Sequence, residues 1–356
     1  MGYFQKYFRH KKSVMMYPLV SIITPSFNRA DIVHETAQSI FNQTYTNWEW
    51  IIVDDGSTDI SWEVLKQFSA NDSRVRFFKR DRSPKGACMC RNIAIEKCKG
   101  DYLIFLDTDD LMASFCLEQR VKAMHENSQC DFIIFPMLMF KNQPDDMRLL
   151  WNIETREDDL IRILKGDPIC QGTGTLWKKS SFVRIGMWNV ELVLWQDIEL
   201  HIRSILNNLM YSKRMDLPPD IFLRISDISL SRTAFHSLPK LQSRIQVFSY
   251  AVQTIEKQNI FNKYREGLRV MGFDIICSAI RSRHFQNAED LIKFCERQNV
   301  FNSKEVSKFI QLKNIYKLRL YNIPIAAKIW ENNVKKIIPS FQTSLTKTKW
   351  EVPILL

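Results

Sequence analysis

The stretch that decides the fold is Tyr102-Leu103-Ile104-Phe105-Leu106-Asp107-Thr108-Asp109-Asp110, in which a short apolar run leads directly into three carboxylates. The apolar run is typical of a buried strand, and a buried strand that ends in acids places negative charge at the carboxyl edge of a sheet, where open α/β folds bind ligands. Clustered carboxylates repel one another unless a cation or a basic partner lies between them. A hard divalent cation such as Mg2+ or Mn2+, itself holding a diphosphate, would meet this need. An acidic turn that caps the following helix is the alternative.

Strand and helix patterns alternate around this stretch over the first 140 residues. We predict strands at residues 20–24, 48–53, 75–78, 102–106 and 132–135, and helices at 31–41, 59–68, 87–98 and 115–126. The alternation predicts an α/β fold with a mainly parallel sheet and helices on both faces. Residues 141–168 are polar and acid-rich, and we expect a surface excursion there. A helix is predicted to begin near Trp195 and to run through Leu206, and after about residue 239 the pattern is helical throughout.

Composition places the chain among packed globular proteins, with 45% hydrophobic and 12% aromatic residues in 356. No apolar run reaches the roughly 18 residues that a membrane span needs, and the basic residues 1–17 lack the apolar core of a signal peptide. The eight cysteines are scattered and form no CxxC pair, which favours reduced, buried thiols over a zinc site or disulfides. These features predict a cytoplasmic protein.

The positive charge is concentrated at the carboxyl-terminal end. Residues 240–356 contain 20 Lys and Arg against 9 Asp and Glu, which accounts for the whole net charge of +11. This asymmetry predicts a surface that meets an anionic partner, either a phospholipid leaflet or a nucleic acid, although solvated helix surfaces would also carry such residues. The region lacks the aromatic interleaving and the helical reading motifs of nucleic-acid binders. We therefore expect an anionic membrane surface and no nucleic acid.

Polar signatures follow three of the predicted strands: Thr24-Pro25-Ser26-Phe27-Asn28-Arg29, Asp54-Asp55-Gly56-Ser57-Thr58-Asp59, and the acid cluster Asp107-Thr108-Asp109-Asp110. Because the carboxyl ends of parallel strands meet at one edge of a sheet, they would form a crevice suited to a nucleotide. Neither a GxGxxG fingerprint after the first strand nor a GxxxxGK[ST] phosphate loop is present.

With Gly86, Arg91-Asn92, Gly100-Asp101 and the later Trp195-Gln196-Asp197-Ile198-Glu199-Leu200, these motifs stand in consistent order between about residues 17 and 235. The chain resembles the family 2 glycosyltransferases, which have the GT-A fold. The resemblance implies a basic amino-terminal segment at 1–16, a catalytic domain at 17–239 and a basic helical region at 240–356. The catalytic domain would divide into a nucleotide-binding half at 17–140 and an acceptor-side half at 141–239.

The resemblance also implies roles for individual residues. The nucleotide and the donor sugar would be bound by Thr24, Pro25, Phe27, Arg29, Asp54, Asp55, Arg91, Asp107 and Thr108, and a divalent Mn2+ or Mg2+ ion by Asp109. Asp55 would hydrogen-bond the nucleobase, while Asp54 either supports it or caps a turn. Arg91 would lie near the diphosphate or the sugar, or else pair with a carboxylate at the sheet edge. Asp110 would anchor the following helix or orient the donor sugar.

Asp197 is the implied catalytic base, since direct displacement at the anomeric carbon needs a group that takes the proton of the acceptor hydroxyl. Because a helix N-terminus lowers the basicity of a carboxylate, partial burial would have to offset that effect. The alternative for Asp197 is a helix N-cap. Glu199 is the fallback base or else a surface acid. Two positions depart from the family pattern: Gln196 replaces a glutamate, and Ser226 replaces a histidine whose role would fall to Asp227, His236 or water.

The leading hypothesis is an inverting, metal-dependent hexosyl- or N-acetylhexosaminyltransferase that uses a nucleotide sugar, with UDP favoured by the resemblance alone. Its acceptor would be a glycan or a lipid-linked glycan in surface polysaccharide synthesis. The enzyme would be cytoplasmic and peripheral on the cytoplasmic face of the membrane. The alternative is a catalytically silent sugar-nucleotide-binding scaffold of a glycan assembly complex, which the losses at positions 196 and 226 favour.

Overall fold

Two β-sheets organise the amino-terminal part of the protein in this computed structural model, which describes residues 18–225 and 234–320 together with Ile323 and Ile337. The first sheet has seven strands in the order β10-β6-β9-β4-β1-β2-β3, and every pairing is parallel except those made by β9. The second has four strands in the order β5-β11-β7-β8. The strands are β1 (Val20–Ser26), β2 (Trp48–Asp54), β3 (Val75–Lys79), β4 (Tyr102–Phe105), β5 (Leu111–Met112), β6 (Phe132–Ile134), β7 (Met137–Phe140), β8 (Leu149–Leu150), β9 (Thr175–Lys178), β10 (Tyr211–Lys213) and β11 (Ile221–Arg224).

Helices cover the large sheet and continue beyond it. Those of the described residues are α1 (Val33–Phe41), α2 (Ser61–Asn71), α3 (Ala87–Lys97), α4 (Cys116–Glu126), α5 (Asp159–Leu164), α6 (Lys179–Arg184), α7 (Gln196–Leu206), α8 (Leu238–Lys257), α9 (Phe261–Arg281), α10 (Phe285–Arg297) and α11 (Ser303–Lys317). Every residue of β2 is buried, as expected for a parallel strand that is covered on both faces. The α/β prediction, with a helical carboxyl-terminal region, is confirmed. The last predicted helix, over residues 323–338, lies almost entirely outside the described residues.

The excursion expected at residues 141–168 is the main error in the fold prediction. This segment contains β8 and α5, and Leu160, Ile163 and Leu164 on one face of α5 are buried. α5 packs against α9, where a Cβ added to Gly267 would lie 2.9 Å from the Leu164 Cβ. The acidic residues obscured a short helix whose apolar face is covered by a partner far along the chain.

Strands from both sides of residue 140 contribute to each sheet, and the division into a nucleotide-binding half and an acceptor-side half stays a prediction. β9 and β10, from the later half, join the large sheet, whereas β7, from the earlier half, lies in the small sheet. Smaller differences occur at element ends: β1 continues through Pro25 to Ser26, and α2 begins at Ser61 rather than Asp59.

The carboxyl-terminal helices pack on one another and on the first part of the chain. α8 contacts α9 and α7, and α9 contacts α5, α10 and α11. No helix within residues 18–225 and 234–320 combines the length and the apolar character needed to cross a lipid bilayer. All eight cysteines are free and buried, as the sequence predicted.

Candidate active site

The candidate site lies at the carboxyl edge of three neighbouring parallel strands. β4, β1 and β2 are adjacent in the large sheet, so their ends at Phe105, Ser26 and Asp54 emerge on the same side. The three polar signatures of the sequence therefore lie beside one another, and the Asp55 N–H joins two of them by donating to the Ser26 carbonyl over 2.8 Å. This is the edge at which open α/β sheets bind ligands.

The adjacent aspartates at the carboxyl end of β2, Asp54 and Asp55, make different contacts. The Asp54 carboxylate accepts hydrogen bonds from the Gly56 and Ser57 N–H groups, each at 3.0 Å, so it caps the turn. The Asp55 carboxylate pairs with Arg80, with 2.5 Å between Oδ1 and Nε, and also accepts from the Gly86 N–H at 3.3 Å. Asp54 therefore caps the turn, and Asp55 is a buried carboxylate paired with the Arg80 guanidinium; the nucleobase contact of Asp55 stays a prediction.

An aromatic side chain lies beside this turn. The Phe27 ring is 38% exposed, and the Lys85 Nζ lies 3.7 Å from the ring centroid, a cation–π contact. Thr24, by contrast, is buried, and its hydroxyl accepts a hydrogen bond from the Trp50 Nε1 at 2.9 Å. Pro25 lies within β1 opposite Val53. Of the first signature, Phe27 is the residue that presents a broad apolar surface to solvent.

Arg29 and Thr108 attach the strand ends to the surrounding helices. The Arg29 N–H donates to the Ser61 Oγ at 2.8 Å, at the beginning of α2. Burial raises the pKa of Asp109, and the Arg29 guanidinium charge opposes that rise. Thr108 is buried, and its carbonyl accepts from the Thr36 hydroxyl on α1 at 2.9 Å. Arg29 therefore contributes positive charge near the acid cluster. Thr108 fixes the backbone of that cluster to α1.

An ion pair spans the acid cluster and α3. The Arg91 Nη2 lies 2.6 Å from the Asp107 Oδ1; the arginine is buried, whereas the aspartate side chain is 44% exposed. Burial alone would lower the pKa of Arg91, but the Asp107 and Asp197 carboxylates raise it above its usual value. Arg91 thus pairs with a carboxylate at the sheet edge and remains charged beside a partly open site, while its role near a diphosphate or sugar stays a prediction.

The other two acids of the cluster are less exposed. Burial, and then repulsion from Asp107, raises the pKa of Asp109. Burial raises the pKa of Asp110 well above its usual range, and its Oδ1 accepts from the Arg224 N–H of β11 at 3.0 Å. The expectation that Asp110 anchors the following helix is wrong, because its partners lie on β11 and at Thr173, whose hydroxyl is 3.5 Å away.

A preformed metal site with three or more His, Cys, Asp or Glu ligands is absent from the part of the chain that the structure describes. The donor set suits a cation that is shared with a ligand, because Mg2+ commonly binds one or two carboxylates together with substrate phosphates. Burial raises the pKa of Asp109 and repulsion from Asp107 adds to the rise; a cation between the two carboxylates would relieve that repulsion. Asp109 therefore fits the predicted metal-binding role in chemical type.

Asp197 lies in the first turn of α7, and its Oδ1 borders Gly172 together with the Trp188 ring, which in turn contacts Arg91. Its Oδ1 accepts from the Gly172 N–H at 2.8 Å. Burial raises the pKa of Asp197, with Arg91 acting against and Asp107 adding to that shift. The raised pKa is the offset that a base at a helix N-terminus requires. A Cβ at position 172 would lie 2.9 Å from the Asp197 Oδ1, so a glycine is needed for this approach.

Glu199 is neither a surface acid nor an available base. It is buried and forms a two-bonded ion pair with Arg203, whose Nε and Nη2 lie 2.7 and 2.9 Å from its two oxygens. Gln196 donates to the Leu192 carbonyl at 2.8 Å. Ser226 and Asp227 lie outside the described residues, and His236 contacts the Ser278 hydroxyl at 3.0 Å in the helical region.

Sequence reasoning missed three residues that hold the site together. Trp188 exchanges two hydrogen bonds with the Asn92 amide, at 2.9 and 3.1 Å, and its ring lies 4.9 Å from the Arg91 guanidinium. Arg120 on α4 forms a fully buried ion pair with Asp220, which precedes β11. Asn92 was visible in the motif beside Arg91, but no local pattern indicates partners about 100 positions away.

Residues 21–186 match the family model described as glycosyl transferase family 2. The chain therefore carries a family 2 glycosyltransferase domain. It is 41% identical over 115 residues to the "putative teichuronic acid biosynthesis glycosyltransferase TuaG" of Bacillus subtilis, covering 32% of this chain and 45% of that one. It is 36% identical over 110 residues to the "UDP-Glc:alpha-D-GlcNAc-diphosphoundecaprenol beta-1,3-glucosyltransferase WfgD" of Escherichia coli, covering 31% and 42%. The matches span less than half the length of these relatives.

The similarity to solved structures covers more of the chain than the similarity in sequence does. The S. aureus protein TarS, residues 1–349 in complex with UDP-GlcNAc, superposes with a TM-score of 0.56 over 84% of this chain and 91% of that one. At 16% sequence identity this likeness establishes the fold alone. Together with the sheet topology, it identifies the GT-A type of fold.

Proposed function

We propose that this protein is an inverting glycosyltransferase that moves a sugar from a nucleoside-diphosphate donor to a hydroxyl of a glycan or lipid-linked glycan in surface polysaccharide synthesis. One observation carries the proposal: the 2.6 Å Arg91–Asp107 ion pair lies at the carboxyl edge of the parallel strands, and the Trp188 ring, 4.9 Å from Arg91, borders Gly172 together with the Asp197 carboxylate. Displacement at an anomeric carbon needs a base for the attacking hydroxyl and positive charge near the departing diphosphate. This edge offers both.

Asp197 is the proposed base. Burial raises its pKa, so the carboxylate is a stronger proton acceptor than an exposed aspartate, and the Arg91 charge keeps the ionised form accessible. The Gly172 N–H fixes one carboxylate oxygen by a 2.8 Å hydrogen bond. In the proposed reaction Asp197 takes the proton of the acceptor hydroxyl as that oxygen attacks the anomeric carbon from the face opposite the diphosphate. Direct displacement inverts the anomeric configuration.

Uracil is the proposed nucleobase of the donor nucleotide. The Asp55 carboxylate, held by Arg80, is an acceptor of hydrogen bonds only. It therefore matches the N3–H of uracil, whereas cytosine presents an acceptor at the same position. Phe27 supplies an exposed ring beside this carboxylate turn. The names of WfgD and of the TarS complex both include a UDP-sugar, which agrees with this choice.

A divalent cation, Mn2+ or Mg2+, is proposed to be bound by Asp109 together with the donor diphosphate. When bound, such a cation stabilises the negative charge of the departing nucleoside diphosphate. Arg91 would add a fixed positive charge beside the same phosphates, and Asp107 orients that arginine through their 2.6 Å contact.

A panel of nucleotide sugars tests the proposal. We expect UDP-hexoses or UDP-N-acetylhexosamines to raise the melting temperature in Mn2+, since a ligand at 100 times its Kd stabilises by about 2.7 kcal/mol. The best donor should also be hydrolysed slowly without acceptor. Asp290→Asn, which changes an exposed carboxylate on α10, is the control: the same donors should raise its melting temperature and be hydrolysed at the same rate as with the wild type. If no nucleotide sugar stabilises the protein or is consumed by it, the proposal fails. Binding without consumption, in the presence of candidate acceptors, would favour the scaffold alternative.

The lipid-linked acceptor is proposed from the basic carboxyl-terminal region and from the diphosphoundecaprenol substrate in the name of WfgD. Lysines and arginines near an anionic bilayer each contribute about 1 kcal/mol of attraction. Sedimentation with vesicles should therefore show more binding to anionic than to neutral lipid, with the difference lost at high salt. Equal binding to both kinds of vesicle would remove the membrane surface from the proposal.

A further inference from the structure

Trp195, which precedes α7, has a backbone conformation that needs external support. Its φ is +63°, in the left-handed region, and its carbonyl accepts the Glu199 N–H at 2.9 Å as the first helical hydrogen bond. Bulky residues rarely adopt this region, and the conformation costs about 1–3 kcal/mol unless the surroundings impose it. Asp197 follows two residues later, so the direction of its side chain depends on how Trp195 is held.

The support comes from the carboxyl-terminal helices. The Arg244 guanidinium on α8 is fully buried and lies 5.1 Å from the Trp195 ring centroid and 4.8 Å from that of Phe235. Two residues of α9 fix it: the Ser278 Oγ at 2.9 Å and the Asp274 Oδ2 at 2.5 Å. An arginine bonded in this way provides a rigid, charged plane against the indole.

A second contact holds the same loop. The Val193 N–H donates to the Ser243 Oγ at 3.0 Å, and this serine is buried beside Arg244 on α8. Residues 193–195 are therefore attached to α8 through two successive side chains. Neither of them belongs to the strand ends, the acid cluster or α3, where the donor is proposed to bind.

We propose that Arg244 and Ser243 are positioning residues, through which the helical region holds the 193–195 loop and so aims the Asp197 carboxylate at the acceptor hydroxyl. This inference rests on the proposed function. It gives Arg244 and Ser243 of α8 a part in the reaction although they lie apart from the proposed donor site. Misplacement of a reacting group by about 1 Å can cost on the order of 100-fold in rate.

The test compares single variants of the 356-residue chain. In Arg244→Met we expect kcat for donor turnover to fall by about 10- to 100-fold, while the KM for the donor changes less than about twofold. Arg244→Lys keeps the charge but not the planar fork, and should recover part of the loss. Arg269→Met is the matched control, because Arg269 is an α9 arginine that pairs with Glu305 on α11. Its kcat should remain that of the wild type.

Hydrogen exchange supplies a readout that does not depend on turnover. We expect the amides of residues 193–199 to exchange faster in Arg244→Met than in Arg269→Met. If Arg244→Met does not fold, Ser243→Ala replaces it in the test. We expect this variant to show a smaller decrease in kcat and a smaller increase in amide exchange. Unchanged kcat and unchanged exchange in the folded variant would overturn the inference. If the wild type consumes no donor but Arg244→Met still shows faster exchange at residues 193–199, the contact with the loop stands and the proposed function is wrong.

Discussion

Removal of one charge from the buried Arg120–Asp220 pair should destabilise the protein strongly. The Arg120 Nε and Nη2 lie 2.8 and 2.6 Å from the two Asp220 oxygens, and both side chains are 0% exposed. The Nη1 also donates to the Thr173 and Thr175 carbonyls at 2.9 and 3.1 Å. The pair thus connects α4 with β9 and β11. Asp220→Asn keeps the shape of the side chain but leaves a guanidinium without a counter-charge.

The expected loss is about 3–5 kcal/mol, the cost of leaving one partner of a buried ion pair uncompensated. For a chain of 356 residues the loss corresponds to a decrease in melting temperature of roughly 5 °C. The exposed pair between Arg214 and Asp216 is the internal comparison, since the Asp216 side chain is 62% exposed. Asp216→Asn should therefore cost less than about 1 kcal/mol.

Urea unfolding followed by tryptophan fluorescence measures both changes. The double variant Arg120→Met with Asp220→Leu should recover about half or more of the loss, because it removes the unpaired charge rather than creating one. If Asp220→Asn costs no more than Asp216→Asn, the buried ion pair does not stabilise the attachment of β11 to α4.

Three further outcomes are expected. Burial raises the pKa of Asp197, and only the ionised carboxylate accepts a proton. On acidification kcat should therefore begin to fall at a higher pH than it would for an exposed aspartate, whose pKa is about 3.9. A pH–rate profile that stays flat to pH 4 would contradict this. Asp55→Asn should weaken UDP binding by about 10- to 100-fold and CDP binding much less, since a hydrogen bond to a charged group contributes about 1.5–3 kcal/mol; calorimetry that finds equal losses would refute the uracil contact. Gly100→Ala would place a Cβ 2.4 Å from the Ser21 Oγ, so urea unfolding should show a loss of about 1–3 kcal/mol; unchanged stability would show that the strands yield there.

The large sheet and the position of the acid cluster were predictable because they depend on local patterns. The run from Tyr102 to Leu106 is apolar and β-prone, and parallel strands place their carboxyl ends at one edge. The helix with Asp197 in its first turn was predictable for the same reason. The assignments that resemblance gave to the site residues remain predictions, except that the structure shows where each residue lies.

The contacts that fix the site were not predictable. Arg120 meets Asp220 across 100 positions, and Arg244 meets Trp195 from a different part of the chain. Neither pair leaves a periodic signal, because each depends on how whole elements pack. The acidic segment 141–168 misled for a related reason: α5 has too few apolar residues to stand out, and its covering helix, α9, begins about 100 residues later.

The central claim is that Asp197 takes the acceptor proton at a site where the donor is held by other residues. Its most direct test is to measure donor binding and donor turnover in parallel on Asp197→Asn, which keeps an oxygen that can accept the Gly172 N–H. We predict that the Kd for the donor stays within about threefold of the wild type while turnover falls by about 100-fold or more. Wild-type turnover in Asp197→Asn would contradict the account.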